Sequence, residues 1–271
     1  TMQTRNTEVT AGGSILLFHQ ARVLKNGICT LDAKSSNNIP TEEEAVELFS
    51  GPLFLSNYKI HQLVRAYLFR QFYDAQTPDI VDISGDIERN KHYLRGFLLF
   101  GIFFEGLASF LLARQITRDH ERSRWIEKGE KVLTKIRYWS EHSSWNWESK
   151  LALLGAEKMY TVGNFDQAAL LYERAIRLAH EQKFINDEAI ASELAGTFFC
   201  ERGLNDTKAE ALLLHSVQCY KTWGALAVAR RVETYIASKF GADCSSLDQR
   251  VNALKGILVV SQDDSSKKRK E

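Results

Sequence analysis

The chain has 271 residues with 35 Lys and Arg, 34 Asp and Glu and 7 His, a formal net charge of +1, which excludes a strongly basic nucleic-acid coat and an acidic tail protein. A hydrophobic fraction of 44% with 25% charged residues excludes intrinsic disorder over most of the chain, and the length suits one large domain or two modest ones. Only three prolines occur, Pro40, Pro52 and Pro78, so the chain beyond Pro78 lacks the residue that most often interrupts helices and the expected class is all-α.

The amino-terminal TMQTRNTEVTAGGS has no basic segment leading into a long apolar core and is not read as a secretory signal; Thr1 before Met2 suggests a cut from a longer chain. A first helix is predicted over 14–25, stopping at Asn26-Gly27. After a polar loop, Thr41-Glu42-Glu43-Glu44 matches a capping box that opens a short helix through AVELF, with a stop at Gly51-Pro52. The stretch 58–73 places Ile60, Leu63, Val64, Tyr67, Leu68 and Phe72 on one helical stripe and ends in the turn-like AQTPD. IVDIS, 80–84, reads as an isolated extended piece.

A long helix is predicted over 88–115. Its segment 97–113, FLLFGIFFEGLASFLLA, is apolar on nearly every side but short for a bilayer, carries Glu105 near its middle and is closed by Arg95 and Arg114, so a central helix packed between neighbours is favoured over a membrane span. The more charged 118–142 turns Trp125, Ile126, Val132, Leu133, Ile136 and Trp139 inward.

Beyond Trp147 the pattern repeats. One helix carrying Leu151 and Leu154 is broken at Gly163-Asn164, and Asn164 with Gln167 caps a second whose inner residues are Phe165, Ala168, Tyr172, Ala175, Ile176 and Ala179. A second αα-hairpin follows from Asn186, broken at Gly203 and ending at Trp223-Gly224, which gives a period of about 40 residues, within the range of helical solenoids. Gly196 lies inside a predicted helix, where glycine costs about 1 kcal/mol relative to alanine; close approach of a neighbouring helix accounts for it.

Gly163, Ala168, Tyr172 and Ala175 resemble the second half of a tetratricopeptide repeat, and Gly196, Phe199 and Gly203 the first half of the next. The pattern departs from the consensus at Ala152 and His180, which stand at the Trp and Pro positions, and at Ala209, one residue late. FINDEAIASELAGTFFCERG (184–203) followed by YKTWGALAVARRVE (220–233) is similar to the helical region that follows the AAA/STAND-type ATPase module of large signalling proteins, and HYLRGFLLFGIFFEGLASFLLAR (92–114) fits the earlier helices of that region. The resemblance implies a tetratricopeptide-like αα-hairpin superhelix over 13–258, between a flexible 1–12 and a flexible basic tail 259–271. It also implies a scaffold or regulatory arm for an ATPase or kinase domain of the same polypeptide. No G-x-x-x-x-G-K-[ST] loop, H-R-D or D-F-G is present, so an ATPase of the same protein is expected before Thr1. In tetratricopeptide arrays the first helix of each pair lines a concave groove, which on this chain implies Lys150, Leu153, Glu157 and Tyr160, then Ile190, Glu193, Thr197 and Cys200, a lining suited to a protein or peptide partner.

No catalytic residue is assigned. Asp119, His120 and Glu121 point in different directions at a polar helix junction, and Ser143 and Ser144 beside His142 have no partnered acid. Arg114, Arg118 and Arg122, at the head of a basic stripe that runs to Lys135, offer the alternative of a nucleic-acid-binding or transcription-linked helical module, although Asp119, Glu121, Glu127 and Glu130 dilute the stripe. Cys29, Cys200, Cys219 and Cys244 form no C-x-x-C pair and have no nearby His at zinc-finger spacing. Neither a metal nor any other cofactor is expected, and the thiols fit a reducing, cytoplasmic setting. Lys267, Lys268, Arg269 and Lys270 form a basic cluster that reads as a solvated tail, with nuclear import as the alternative.

Overall fold

The computed structural model describes residues 16–17, 19–27, 40–49, 51–72, 81–85 and 96–241. The segments 1–12 and 259–271, with the Lys267 to Lys270 cluster, lie outside the described residues, as do Cys29 and Cys244. Of the described residues 86% are helical, in antiparallel helix pairs packed one after the next, as expected for an all-α chain.

Residues 19–26 are helical and stop at Gly27. Helix α1 (Glu42–Leu48) opens on the capping box: Glu44 N–H donates to Thr41 Oγ1 at 3.2 Å, and Thr41 N–H donates to Glu44 Oε2 at 2.8 Å. Helix α2 spans Pro52–Leu68, longer at its start and shorter at its end than the predicted 58–73. Pro52 acts as a first-turn residue rather than a breaker, because its fixed φ suits that position and the missing N–H would be unpaired there anyway. Leu16, Ala45 and Phe54 form a small separate core at this end.

Helix α3 (Gly96–Gln115) is the centre of the main core. It packs against α2, against α4 (Asp119–His142) and against α5 (Ser144–Thr161), which explains why it is apolar all round. Phe103, Phe104 and Phe110 are fully buried, each contributing about 1.5–3 kcal/mol. No described helix is long and apolar enough to cross a membrane. Residues 83–85 form a helical turn rather than the extended piece expected at IVDIS, and the Ser84 N–H and hydroxyl donate to Glu105 of α3, at 2.9 and 2.7 Å, in place of any strand partner.

Two further pairs follow: α5 with α6 (Phe165–Glu181), and α7 (Ile185–Arg202) with α8 (Asp206–Trp223), after which α9 (Leu226–Phe240) lies on α8. The first helices touch in succession, α3 on α5 and α5 on α7. The turns inside both later pairs are alike. Gly163 (φ 84°) and Gly203 (φ 59°) take the left-handed conformation that ends a helix by a Schellman motif, with Asn164 N–H on Met159 O at 2.9 Å and Leu204 N–H on Phe199 O at 3.1 Å. Two side-chain-bearing residues do the same job, Arg70 (φ 57°) after α2 and Lys183 (φ 62°) after α6.

Interior glycines set how closely the helices approach. A Cβ on Gly196 would lie 2.7 Å from Leu213 Cγ and 3.0 Å from the Ala209 carbonyl oxygen, so α7 and α8 meet almost backbone to backbone. Similar contacts stand at Gly101 against Ile60, Gly106 against Leu154 and Val132, and Gly129 against Phe110. Gly155 differs, because its Cβ would meet only Leu171 Cδ1 at an ordinary 3.4 Å. Gly155→Ala is therefore expected to stabilise the protein by up to about 1 kcal/mol, whereas Gly196→Ala destabilises it by about 1–2 kcal/mol, overpacking exceeding the propensity gain. Thermal or urea unfolding of the two variants checks the opposite signs.

Candidate functional site

Each first helix carries a carboxylate in an otherwise apolar setting: Glu105 on α3, Glu157 on α5, and Asp187 and Glu193 on α7 are all nearly or fully buried. An unpaired charge in such a place is prohibitively costly, so each must recruit a partner. Glu157 Oε2 accepts from Arg114 Nη2 of α3 at 2.6 Å, while Oε1 accepts from the Tyr172 hydroxyl of α6. Glu193 repeats the arrangement one pair later. Arg70 Nη2 donates to its Oε1 at 2.7 Å, Arg231 Nη2 of α9 reaches both oxygens at 2.8 Å, and the Tyr220 hydroxyl of α8 donates to Oε2 at 2.7 Å. Asp187 takes Lys150 of α5 at 2.5 Å, and Glu105 takes Lys128 of α4 at 3.4 Å besides Ser84.

The number and kind of cations decide the electrostatics. Burial favours the neutral form of Glu193, but Arg231 and then Arg70 outweigh it and hold the carboxyl down at about 2 against an ordinary 4.5. Burial wins at Asp187 and Glu105, whose carboxyls are pushed up despite Lys150 at the first and Ser84 and Lys128 at the second. Burial and the adjacent carboxylate together raise the phenols of Tyr172 and Tyr220 far above their usual range, so both remain hydrogen-bond donors at any ordinary pH.

These clamps border a cavity of 460 Å³ that runs across α3, α5, α7 and α9 and touches Leu213 of α8. Arg70, Arg114 and Arg231 face Glu157, Glu193 and Glu201 around it, so its charge is balanced, with Tyr160, Thr197, Leu194 and Tyr235 between them. Tyr160 donates to Glu201 at 2.5 Å and carries the Arg114 guanidinium over its ring at 4.5 Å. All three carboxylates are thus engaged by guanidinium or phenol groups, which leaves no convergent donor set for a metal there.

Of the residues expected to line a groove, Glu157, Tyr160, Glu193 and Thr197 come together at this cavity. Lys150 is buried in its pair with Asp187, Leu153 and Ile190 belong to the core, and Cys200 is half-buried on α7 without lining the cavity. The basic stripe does not form one surface. Arg114 turns inward to Glu157, Arg118 is 80% exposed and pairs with Glu121 at 3.0 Å, and Arg122 donates to the Thr161 carbonyl at 2.8 Å. Arg70, Arg231 and Tyr220 are not among the residues the sequence places at the site, and Tyr172 stands there only as an inner residue of its helix. The signal available was the carboxylate itself, an acidic residue inside an apolar helix face, which requires a cation from elsewhere.

Arg70 bears on how much the clamp is worth. A left-handed conformation costs a residue with a side chain about 1 kcal/mol, and Arg70 holds it while reaching Glu193, whereas exposed Lys183 holds it with no such partner. Lys183→Gly is expected to stabilise the protein by about 0.5–1 kcal/mol, and Arg70→Gly to destabilise it by about 1–2 kcal/mol although it relieves the same strain. Because the carboxyl of Glu193 is lowered on folding, its contribution is complete above its unfolded value near 4.5 and is lost as the pH falls towards 2. Glu193→Gln should lose about 2–4 kcal/mol at neutral pH, with the gap to the native protein closing across that acidic window in urea titrations.

No family model and no solved structure matches the chain. A stretch of 108 residues, 40% of the chain, is 37% identical to the "Hybrid signal transduction histidine kinase G" of Dictyostelium discoideum and covers 3% of that protein, so the chain spans only a small fraction of its relative's length. The chain is weakly similar to a region of a signalling histidine kinase.

Proposed function

We propose that this chain is a non-enzymatic, tetratricopeptide-like helical-repeat module that binds a protein or peptide partner and serves as the regulatory arm of a signalling kinase or ATPase in the same polypeptide, in the cytoplasm. The observation that carries the reading is the cavity lined mainly by α3, α5, α7 and α9, with Arg70 after α2 and Leu213 of α8 at its border, because a stacked array of hairpins presents its concave face along the first helices of successive units. The matching turns at Gly163 and Gly203 support the repeat, and the similarity to a histidine-kinase region supports the signalling context. Balanced rows of guanidinium and carboxylate groups with aromatic rings between them suit a polypeptide, which offers both charges and amides, better than a polyanion.

Selection from a random peptide display library, followed by fluorescence polarisation with the selected peptides on the 271-residue chain, tests the reading. Binding should weaken at least tenfold in Thr197→Arg, which fills the cavity, and change little between 50 and 200 mM salt, in contrast to the steep salt dependence of phosphate contacts. Oligonucleotide binding that collapses over the same salt range and disappears in Arg118→Glu/Arg122→Glu would instead favour a nucleic-acid module.

A further inference from the structure

A second constellation lies away from the cavity, where the end of α6 meets the start of α7 and the middle of α8. His215 and Cys219 are one turn apart on α8 and therefore share a face. Glu188, in the first turn of α7, points at them, and its Oε1 lies 2.8 Å from His215 Nε2 and 3.0 Å from Nδ1 of His180 in the last turn of α6. Cys219 Sγ is 3.5 Å from His215 Nε2, and the donor atoms of Glu188, His215 and Cys219 all lie within 4.8 Å of one another.

Hydrogen bonding alone leaves this group poorly matched. A carboxylate oxygen only accepts, so His215 Nε2 must carry its proton to pair with Glu188 at 2.8 Å, and Cys219 Sγ at 3.5 Å receives at most a weak share of that one proton. A cation between Glu188, His215 and Cys219 satisfies all three groups through lone pairs. We propose that Glu188, His215 and Cys219 form a zinc-binding site between α7 and α8, with His180 of α6, whose Nδ1 already lies 3.0 Å from Glu188 Oε1, turning its exposed side chain in as the fourth ligand. Zinc takes N, S and O donors in a tetrahedron with bonds of about 2.0–2.3 Å, which places neighbouring donors roughly 3.3–3.8 Å apart. Among Glu188, His215 and Cys219 the separations run from 2.8 Å to at most 4.8 Å and so surround that range.

The charge count also fits. One carboxylate, one thiolate and two neutral imidazoles neutralise a divalent cation, and Glu188 and Cys219 are buried while the imidazoles stand closer to solvent, His180 being 54% exposed. The ion therefore has an entry path on the imidazole side and its anionic ligands on the protected side. On binding, the Cys219 thiol releases one proton to solvent, and each imidazole moves its proton to the ring nitrogen not facing the ion, so only the thiol proton is lost.

Cobalt(II) titration of the chelator-treated, full-length chain tests the site without any variant. The expected result is uptake of one equivalent with the intense visible bands of tetrahedral cobalt and a thiolate-to-metal band in the near ultraviolet, both removed by zinc. Cys219→Ser should abolish the thiolate band, and His180→Asn, whose exposed side chain leaves the fold intact, should weaken zinc binding roughly 10–100-fold or more in a competition assay. No uptake at micromolar cobalt, a six-coordinate spectrum without the thiolate band, or bands that persist in both variants would overturn the proposal.

Discussion

A charge inside an apolar interior must be met by an opposite charge, and this architecture places that requirement on the first helix of each pair. Glu157 is inaccessible to solvent, and the groups that neutralise and hydrogen-bond it come from the preceding pair, through Arg114, and from its own second helix, through Tyr172. Glu193 is met by Arg70 from before α3 and by Arg231 from α9, with Tyr220 again from the second helix of its own pair. A hydrophobic face tolerates sliding by part of a turn. A buried carboxylate held at 2.6–2.8 Å does not, because any slip leaves both partners desolvated and unpaired.

Close packing and the clamps depend on one another. Gly196 lets α8 approach α7 until Leu213 occupies the space of its missing side chain, and the same approach carries Tyr220 to Glu193. Gly129 and Gly106 do likewise around α3, where Phe110 and Val132 fill the gaps. Arg70, Arg114 and Arg231, with Glu157 and Glu193, serve twice, once in joining the helices and once in lining the cavity proposed to receive a partner. A ligand there meets side chains already fixed by ion pairs, which reduces the ordering entropy of binding.

Much of this was legible in the residues. The capping box at Thr41, the turns at Gly163 and Gly203, the buried character of 101–113 and the close approach at Gly196 all follow from local chemistry, because caps, turns and periodicity act within a few residues. The carboxylate partners were not. Arg70 lies 123 residues from Glu193, in a backbone conformation that no neighbouring residue signals, and Arg231 lies 38 residues away on the far side of a helix pair. Pro52 was read as a terminator because its neighbour Gly51 supports a stop equally well, although the pair begins α2. The four-residue spacing of His215 and Cys219 is not that of a zinc finger, and Glu188 reaches them, with His180 beside it, only through the packing of α6, α7 and α8.

The claim that the buried carboxylates hold successive pairs in register is tested most directly by a double-mutant cycle on Glu157 and Arg114. Equilibrium unfolding of Glu157→Gln, Arg114→Met and the double variant should give a coupling energy of at least about 1.5 kcal/mol, with the double variant less damaged than the sum of the single ones. A coupling below about 0.5 kcal/mol would mean that apolar packing sets the register without the ion pair, and would contradict the account.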